Sequence, residues 1–308
     1  MRASSSTAVF RGHQGLQLIG EEWNPRPASG VGGGGGVGVG VAPISPTILM
    51  LHGGGQNRYS WKKTGQILAD RGFHVIALDA RGHGDSDRAP LGDYAMEGFV
   101  RDVELTLAQI DRPTVLIGAS MGGLTGIRVA HRAGPAVVTK LVLVDVVPRT
   151  ESAGTERILG FMGRHLSGFD SLEKAADAIA EYLPHRNRPA DLDGLRKNLR
   201  QRDGRWFWHW DPALVSSPTE HPFMAPDELE REAAQLQIPI LLIRGKVSDV
   251  VSTEGVEHFR KLVPHTEFVE LSGAGHTAAG DDNDAFTDVV VQFVAGSLAH
   301  RDGTSLLG

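Results

Sequence analysis

The chain has 308 residues and a mass of 33.0 kDa, which suits one large core with an inserted segment. Hydrophobic residues make up 41% of it and charged residues 22%, proportions that are typical of a globular protein and exclude a largely disordered one. A net charge of −6 without a long Lys or Arg run argues against nucleic acid as a partner, and the lack of cysteine excludes disulfides and thiolate nucleophiles.

One low-complexity segment stands out, residues 29–46, which is rich in glycine and contains GVGGGGGVGVGVA. It lacks the Gly-Lys-Ser/Thr ending of a phosphate-binding loop, and no segment of helical pattern follows it. We therefore predict a flexible surface loop.

Beyond this loop, short apolar runs alternate with segments of helical periodicity. The runs are rich in Val, Ile and Leu with little polar alternation, which indicates a parallel sheet covered on both faces. The architecture predicted is a mostly parallel, doubly wound α/β fold. Strands are predicted at 47–52, 74–79, 114–119 and 141–147, and helices at 59–70, 95–109 and 121–133.

The alternation is interrupted after residue 149. It resumes with an apolar run at 238–245, and the segment between, 150–235, is charged and helical in pattern. We predict that this segment forms a helical cap on a core built from residues 1–149 and 236–308. The core is then completed by helices at 253–262 and 283–298 and a strand at 266–271.

A serine among small residues follows the predicted strand at 114–119. Gly118, Ala119, Ser120, Met121 and Gly122 match the pattern G-x-S-x-G, in which the serine sits on a sharp turn from strand to helix. The small neighbours let the backbone pass close beneath it, so its hydroxyl projects at the carboxyl ends of the strands. We predict that Ser120 is a catalytic nucleophile.

A serine nucleophile needs a histidine base and a carboxylate that orients the base, in the chain order Ser, Asp or Glu, His. His276 lies between the last predicted strand and the last helix, and Asp249 follows the strand at 238–245. We predict these two as the partners of Ser120. Asp145, at the end of the preceding strand, is the alternative carboxylate, or a residue of the pocket floor or cap hinge.

Backbone amides that bind the substrate oxyanion are expected at two sites. One is the residue after the nucleophile, Met121. The other follows the first predicted strand, where His52 precedes a run of glycines that a substrate oxygen can approach closely. Within that run we predict Gly54 as the second donor, with Gly53 as the neighbouring choice.

Five motifs in this order resemble those of the α/β-hydrolase superfamily: LHGGGQ, LDARGHGDSD, GASMGG, RGKVSDVV and GAGHTAAGD. The resemblance covers nearly the whole chain apart from the glycine-rich loop. It implies an α/β-hydrolase fold and a hydrolase that uses no cofactor. The surroundings of RGHGDSD and the cap resemble epoxide hydrolases and haloalkane dehalogenases, but those have aspartate at the position of Ser120, so their chemistry does not carry over.

Aromatic residues concentrate at 205–212, RWFWHWDP. Strand-like alternation would put Trp206, Trp208 and Trp210 on one side, where they pack the cap onto the core and in part form an apolar pocket wall. No metal is predicted, because His52, His83 and Asp79 lack a metal-ligand spacing. Further pocket candidates are His52, Gly55, Tyr59, Trp61, Asp145, Phe161 and Met162.

These residues predict a serine hydrolase of small, mostly apolar carboxylic esters or lactones. The same triad also serves hydrolases of carbon–carbon bonds in ring-fission products, cofactor-free haloperoxidases, and hydrolase-like small-molecule receptors. Ring-fission activity would require a basic pocket residue, for which Arg205 and Arg244 are the nearest candidates. No apolar stretch suits a signal peptide or membrane span, so we expect a cytoplasmic protein with a small-molecule substrate, as a monomer or homodimer.

Overall fold

An eight-stranded sheet lies at the centre of the computed structural model, which describes residues 2–25, 45–183, 188, 192–216, 226–272 and 284–296. The strand order is β1-β2-β4-β3-β5-β6-β9-β10, and the six strands from β4 to β10 run parallel. The strands are β1 (Ser5–Arg11), β2 (Gln17–Trp23), β3 (Thr47–Leu51), β4 (His74–Leu78), β5 (Thr114–Ala119), β6 (Val138–Val144), β7 (Leu199–Arg202), β8 (Arg205–Trp208), β9 (Ile240–Gly245) and β10 (Thr266–Leu271).

Helices connect the parallel strands, and none in the described ranges is long and apolar enough to cross a membrane. Short 3-10 turns add to them at Arg58–Trp61 and Asp193–Asn198. The helices are α1 (Lys62–Asp70), α2 (Met96–Ile110), α3 (Met121–Ala133), α4 (Ser152–Met162), α5 (Leu172–Tyr182), α6 (Ala213–Ser216), α7 (Pro226–Ala234), α8 (Thr253–Leu262) and α9 (Asp284–Ala295).

The central strands bury both faces, as continuous apolar runs require. In β3, Ile48 and Met50 pack on one side of the sheet, whereas Leu49 and Leu51 pack on the other. Helices α2, α3 and α8 cover one face, and α1 and α9 cover the opposite one. The predicted doubly wound α/β fold is confirmed.

The antiparallel pair β1 and β2 was not predicted from the sequence. β1 pairs with β2, which in turn pairs antiparallel with β4. Side chains along β1 are mostly exposed, so this edge strand lacks the apolar run that marks the central strands.

The inserted segment contains α4, α5 and the hairpin of β7 and β8, which share an apolar cluster of their own. The last part of the predicted cap, α7, does not share this separate cluster. Its Leu229 and Ala233 pack into the core cluster instead. Arg128 of α3 also binds Glu232 of α7, at 3.0 Å. This part of the predicted cap is therefore helical, and its apolar face packs on the core cluster.

Candidate active site

Ser120 occupies a strained turn between β5 and α3. Its backbone has φ 46° and ψ −117°, a conformation that non-glycine residues rarely adopt. The turn needs small neighbours, because a Cβ at Gly122 would collide with the carbonyl of Leu51 and one at Gly118 would collide with the carbonyl of Gly122. The G-x-S-x-G segment therefore forms the sharp strand-to-helix turn expected from the sequence.

A cavity of about 330 Å³ opens above Ser120 between the core and the cap. Its floor includes Ser120 and the run of Gly53 to Gly55, and Met162 of the cap lies over Gly54 and Gly55. Two stacked aromatic pairs line it, Phe161 with Tyr182 at 4.1 Å between ring centroids and Trp208 with Trp210 at 4.8 Å. The volume suits a small ligand.

The three glycine amides after β3 differ in whether they already have an acceptor. The Gly53 amide donates to Gln56 Oε1 at 3.1 Å, and the Gly55 amide donates to His83 Nε2 at 3.2 Å. The Gly54 amide has no acceptor in the described part of the chain. The hydrogen bonds of this loop are therefore compatible with the expectation that Gly54, rather than Gly53, donates to a substrate oxygen.

The second expected donor, the Met121 amide, belongs to the first residue of α3. The first amides of a helix have no acceptor within the helix, and the helix dipole adds partial positive charge there. Met121 and Gly54 thus provide two amides on the two segments that meet at Ser120, because a Cβ on Gly53 would lie 3.3 Å from the Ser120 Cβ.

Three buried histidines lie side by side near the glycine loop, with ring centroids 5.0 Å apart for His52 and His83 and 6.1 Å apart for His83 and His209. A backbone amide donates to one ring nitrogen of each, so that nitrogen carries no proton. His52 also donates from Nδ1 to the Gly53 carbonyl at 2.8 Å. The amides are those of Ala80 for His52 at 3.0 Å, Gly55 for His83 at 3.2 Å and Gly84 for His209 at 2.8 Å.

Burial keeps these histidines neutral. It lowers the pKa of His52 to about 4 and that of His83 to about 3, and it also lowers the pKa of His209. A charged imidazole would have to donate at both nitrogens and would lose its bond from the backbone amide. The hydrogen bond from the Gly55 amide of the glycine loop therefore depends on a neutral His83.

We expect the free energy of unfolding to fall as the pH drops from about 6.5 towards 4. In this window an unfolded histidine, with its pKa near 6.5, binds a proton that the folded protein excludes. Each buried histidine then contributes a loss of about 1.4 kcal/mol per pH unit. Urea unfolding at several pH values measures the slope.

A variant that lacks one of the buried imidazoles tests this pH dependence. His209→Gln should reduce the slope, because its unfolded chain has one histidine fewer to bind a proton. Equal stability at pH 7 and pH 5 in the wild type would contradict the role assigned to the buried histidines.

Asp145 lies at the end of β6 and is completely buried. Its Oδ1 accepts from the Gly245 amide at 3.1 Å and its Oδ2 from Ser248 Oγ at 2.6 Å. Its φ of 50° turns the chain sharply as the strand ends. The carboxylate is thus held between the ends of β6 and β9, one strand away from Ser120.

Asp249 lies on the loop after β9, and its side chain is 42% exposed. Arg157 of α4 binds both of its carboxylate oxygens, at 2.6 and 2.9 Å. A Cβ on Gly154 of the same helix would collide with the Asp249 carbonyl. The side chain of Asp249 thus connects its loop to the cap. His276 lies outside the described residues.

The predicted pocket residues fall into two groups. Among those lining the cavity are Gly53, Gly54, Gly55, Tyr59, Phe161, Met162, Trp208 and Trp210. The others lie elsewhere: Trp61 is fully buried in the core, His52 lies beneath the loop, Asp145 lies between strand ends and Trp206 packs in the cap beneath the guanidinium of Arg196.

The two arginines considered for binding a second carboxylate of a substrate bind acidic side chains of the protein and do not line the cavity. Arg205 binds Asp170 and cap carbonyls, and Arg244 binds Glu270 at 2.7 Å. The cation that does line the cavity is Lys197, which the sequence analysis missed. Lys197 belongs to a stretch of mixed acidic and basic residues, LDGLRKNLRQR, which is typical of a solvent-exposed surface. No sequence signal therefore marked it as a residue of the cavity.

A family model described as "alpha/beta hydrolase fold" matches residues 46–282. The chain therefore belongs to the α/β-hydrolase family, as its motifs and its fold both indicate, and it is an enzyme of the hydrolase class.

Individual relatives agree with this. The chain is 29% identical to the sn-1-specific diacylglycerol lipase ABHD11 of Mus musculus over 81% of each chain. It is 28% identical to esterase Rv0045c of Mycobacterium tuberculosis over 80% of this chain and 82% of that protein. The crystal structure of an alpha/beta hydrolase from Novosphingobium aromaticivorans has a TM-score of 0.75 at 25% identity, covering 96% of this chain and 99% of that one.

Proposed function

We propose that the protein hydrolyses small carboxylic esters or lactones through a serine triad and an acyl-enzyme. The observation that carries this proposal is Ser120 on its strained turn beneath the cavity, next to the Gly54 amide that has no acceptor in the described residues. Relatives that are named as an esterase and a lipase support ester cleavage.

In this mechanism Ser120 Oγ attacks the ester carbonyl carbon while His276 takes the hydroxyl proton. The Met121 and Gly54 amides donate to the oxyanion of the tetrahedral intermediate. The bond from carbon to the leaving oxygen then breaks, and His276 gives its proton to the departing alcohol. Water attacks the acyl-enzyme by the reverse sequence, and the acid is released.

For the carboxylate that orients His276, we propose Asp145 in preference to Asp249. An orienting carboxylate works best when it is buried and fixed by hydrogen bonds, since it must hold the imidazole and stabilise its charged form. Asp145 is completely buried and held by two donors, whereas Asp249 is half exposed and shared with Arg157. Asp249 remains the alternative.

The cavity suggests the size and character of the acyl or alcohol group. A volume of about 330 Å³ holds a short chain or a single ring, and Phe161, Trp208 and Trp210 provide an apolar wall for it. We therefore expect activity to peak at short to medium acyl length.

The test is steady-state hydrolysis of p-nitrophenyl esters of increasing acyl length, together with simple lactones. We expect multiple turnovers and an optimum at short to medium chains. A wild-type protein that is inactive on every member would contradict the proposal. Turnover of a chromogenic ring-fission substrate, formation of peracid, or a ligand-induced rise in melting temperature without turnover would then support the carbon–carbon hydrolase, the haloperoxidase or the receptor, respectively.

A further inference from the structure

Besides its aromatic residues, the cavity has a wall of polar residues. Gln56, Tyr59 and Ser60 line it from the core, and Lys197 and Asn198 line it from the 3-10 turn of the cap. No Asp or Glu occurs among the described residues that line the cavity, and Lys197 is the charged residue among them. This wall offers an excess of hydrogen-bond donors to a ligand.

The ion pairs behind the wall do not include Lys197. Arg58 binds the buried carboxylate of Asp79 and also Asp85, at 2.8 Å. Asp85 in turn binds Arg200 of the cap at 2.5 Å. Both carboxylates are thus bound by arginines, and neither pairs with the Lys197 ammonium.

Lys197 has contacts through both its backbone carbonyl and its side-chain ammonium. Its carbonyl accepts from Nδ2 of the buried Asn57 at 3.0 Å, which ties the cap turn to the loop that carries Gly54. Its ammonium lies 5.3 Å from the centre of the Tyr59 ring, a cation–π contact against the cavity wall. Its ammonium has no carboxylate partner within the described ranges.

We propose that Lys197 binds a carboxylate of the substrate, so that the natural ester carries an anionic group away from the scissile carbonyl. This inference rests on the proposed ester hydrolysis and narrows its substrate class. The aromatic wall would hold the carbon chain, and Lys197, with the amides of Asn198 and Gln56 nearby, would receive its acidic end. A cation at a half-open site favours an anion by charge-assisted hydrogen bonding.

The experiment compares two esters of equal acyl length, 4-nitrophenyl pentanoate and the mono-4-nitrophenyl ester of glutaric acid. The ratio of kcat/KM for the anionic ester to that for the neutral ester is measured in the wild type and in Lys197→Met. We expect this ratio to fall by about tenfold in Lys197→Met, with the neutral ester changed less than about twofold. Lys197→Arg, which retains the charge, should restore most of the ratio.

The matched control is Lys174→Met, which removes an exposed cap lysine that does not line the cavity. It should leave the ratio unchanged. A ratio that stays constant in Lys197→Met, or that falls equally in Lys174→Met, would overturn the proposal while the ester hydrolysis itself still stands.

A binding measurement separates this inference from the proposed chemistry. Calorimetric titration of monomethyl glutarate into the Ser120→Ala protein does not require turnover. We expect binding that weakens by about tenfold when Lys197→Met is added. Equal affinity in both proteins would overturn the carboxylate site, whereas loss of esterase activity alone would bear only on the mechanism.

Discussion

Replacing Ser120 by alanine is expected to lower kcat/KM for p-nitrophenyl esters by about 10⁴-fold or more, since the variant lacks the atom that forms the acyl-enzyme. The fold should survive, because the turn at Ser120 is imposed by its surroundings and alanine only removes the hydroxyl. The measurement is steady-state hydrolysis of the preferred ester, together with the melting temperature.

Ser60→Ala is the matched control for this result. Ser60 lines the same cavity but lies within the 3-10 turn Arg58–Trp61 rather than at the strained strand end. Its removal should change kcat/KM by less than about tenfold. If Ser120→Ala kept wild-type activity while Ser60→Ala lost it, the nucleophile would have been assigned to the wrong serine.

The second large effect expected is that of Asp145→Asn, which should lower kcat by about 10³ to 10⁴-fold. An amide in place of the carboxylate favours the wrong tautomer of the base and does not stabilise its charged form. Asp249→Asn should lower kcat by less than about tenfold, because this carboxylate is half exposed and bound to Arg157. The two variants are compared by kcat and its pH dependence.

The free energy of unfolding of each variant shows whether a lower kcat comes from lost catalysis or from a disturbed structure. Asp145 accepts from Ser248 and Gly245, so Asp145→Asn also perturbs a buried contact and its unfolding must be measured. Arg157→Met should resemble Asp249→Asn in losing at most about 1 kcal/mol, the usual contribution of an exposed ion pair. If Asp145→Asn kept a near-normal kcat and Asp249→Asn were inactive, Asp249 would be the carboxylate that orients the histidine.

Much of the fold and part of the site could be predicted from local pattern. Continuous apolar runs such as β3 and β5 are recognisable because parallel strands are buried on both faces. The turn at Ser120 is recognisable because only small residues tolerate the close approach of neighbouring backbone. The edge strand β1 escaped prediction because it has no such run. The segment of α7 falls within the predicted cap, yet its apolar face packs on the core cluster, because an amphipathic pattern does not say which surface covers it.

The sequence by itself therefore determined the α/β-hydrolase class, the central strands and the turn with a serine among glycines. Tertiary structure alone decided which glycine amide has no acceptor in the described residues, since Gln56 and His83 accept from its two neighbours. It also distinguished the buried Asp145 from the cap-bound Asp249 and brought Lys197 to the cavity. The physical reason is that hydrogen-bond partners, burial and charge balance depend on residues far apart in the chain, which no local pattern records.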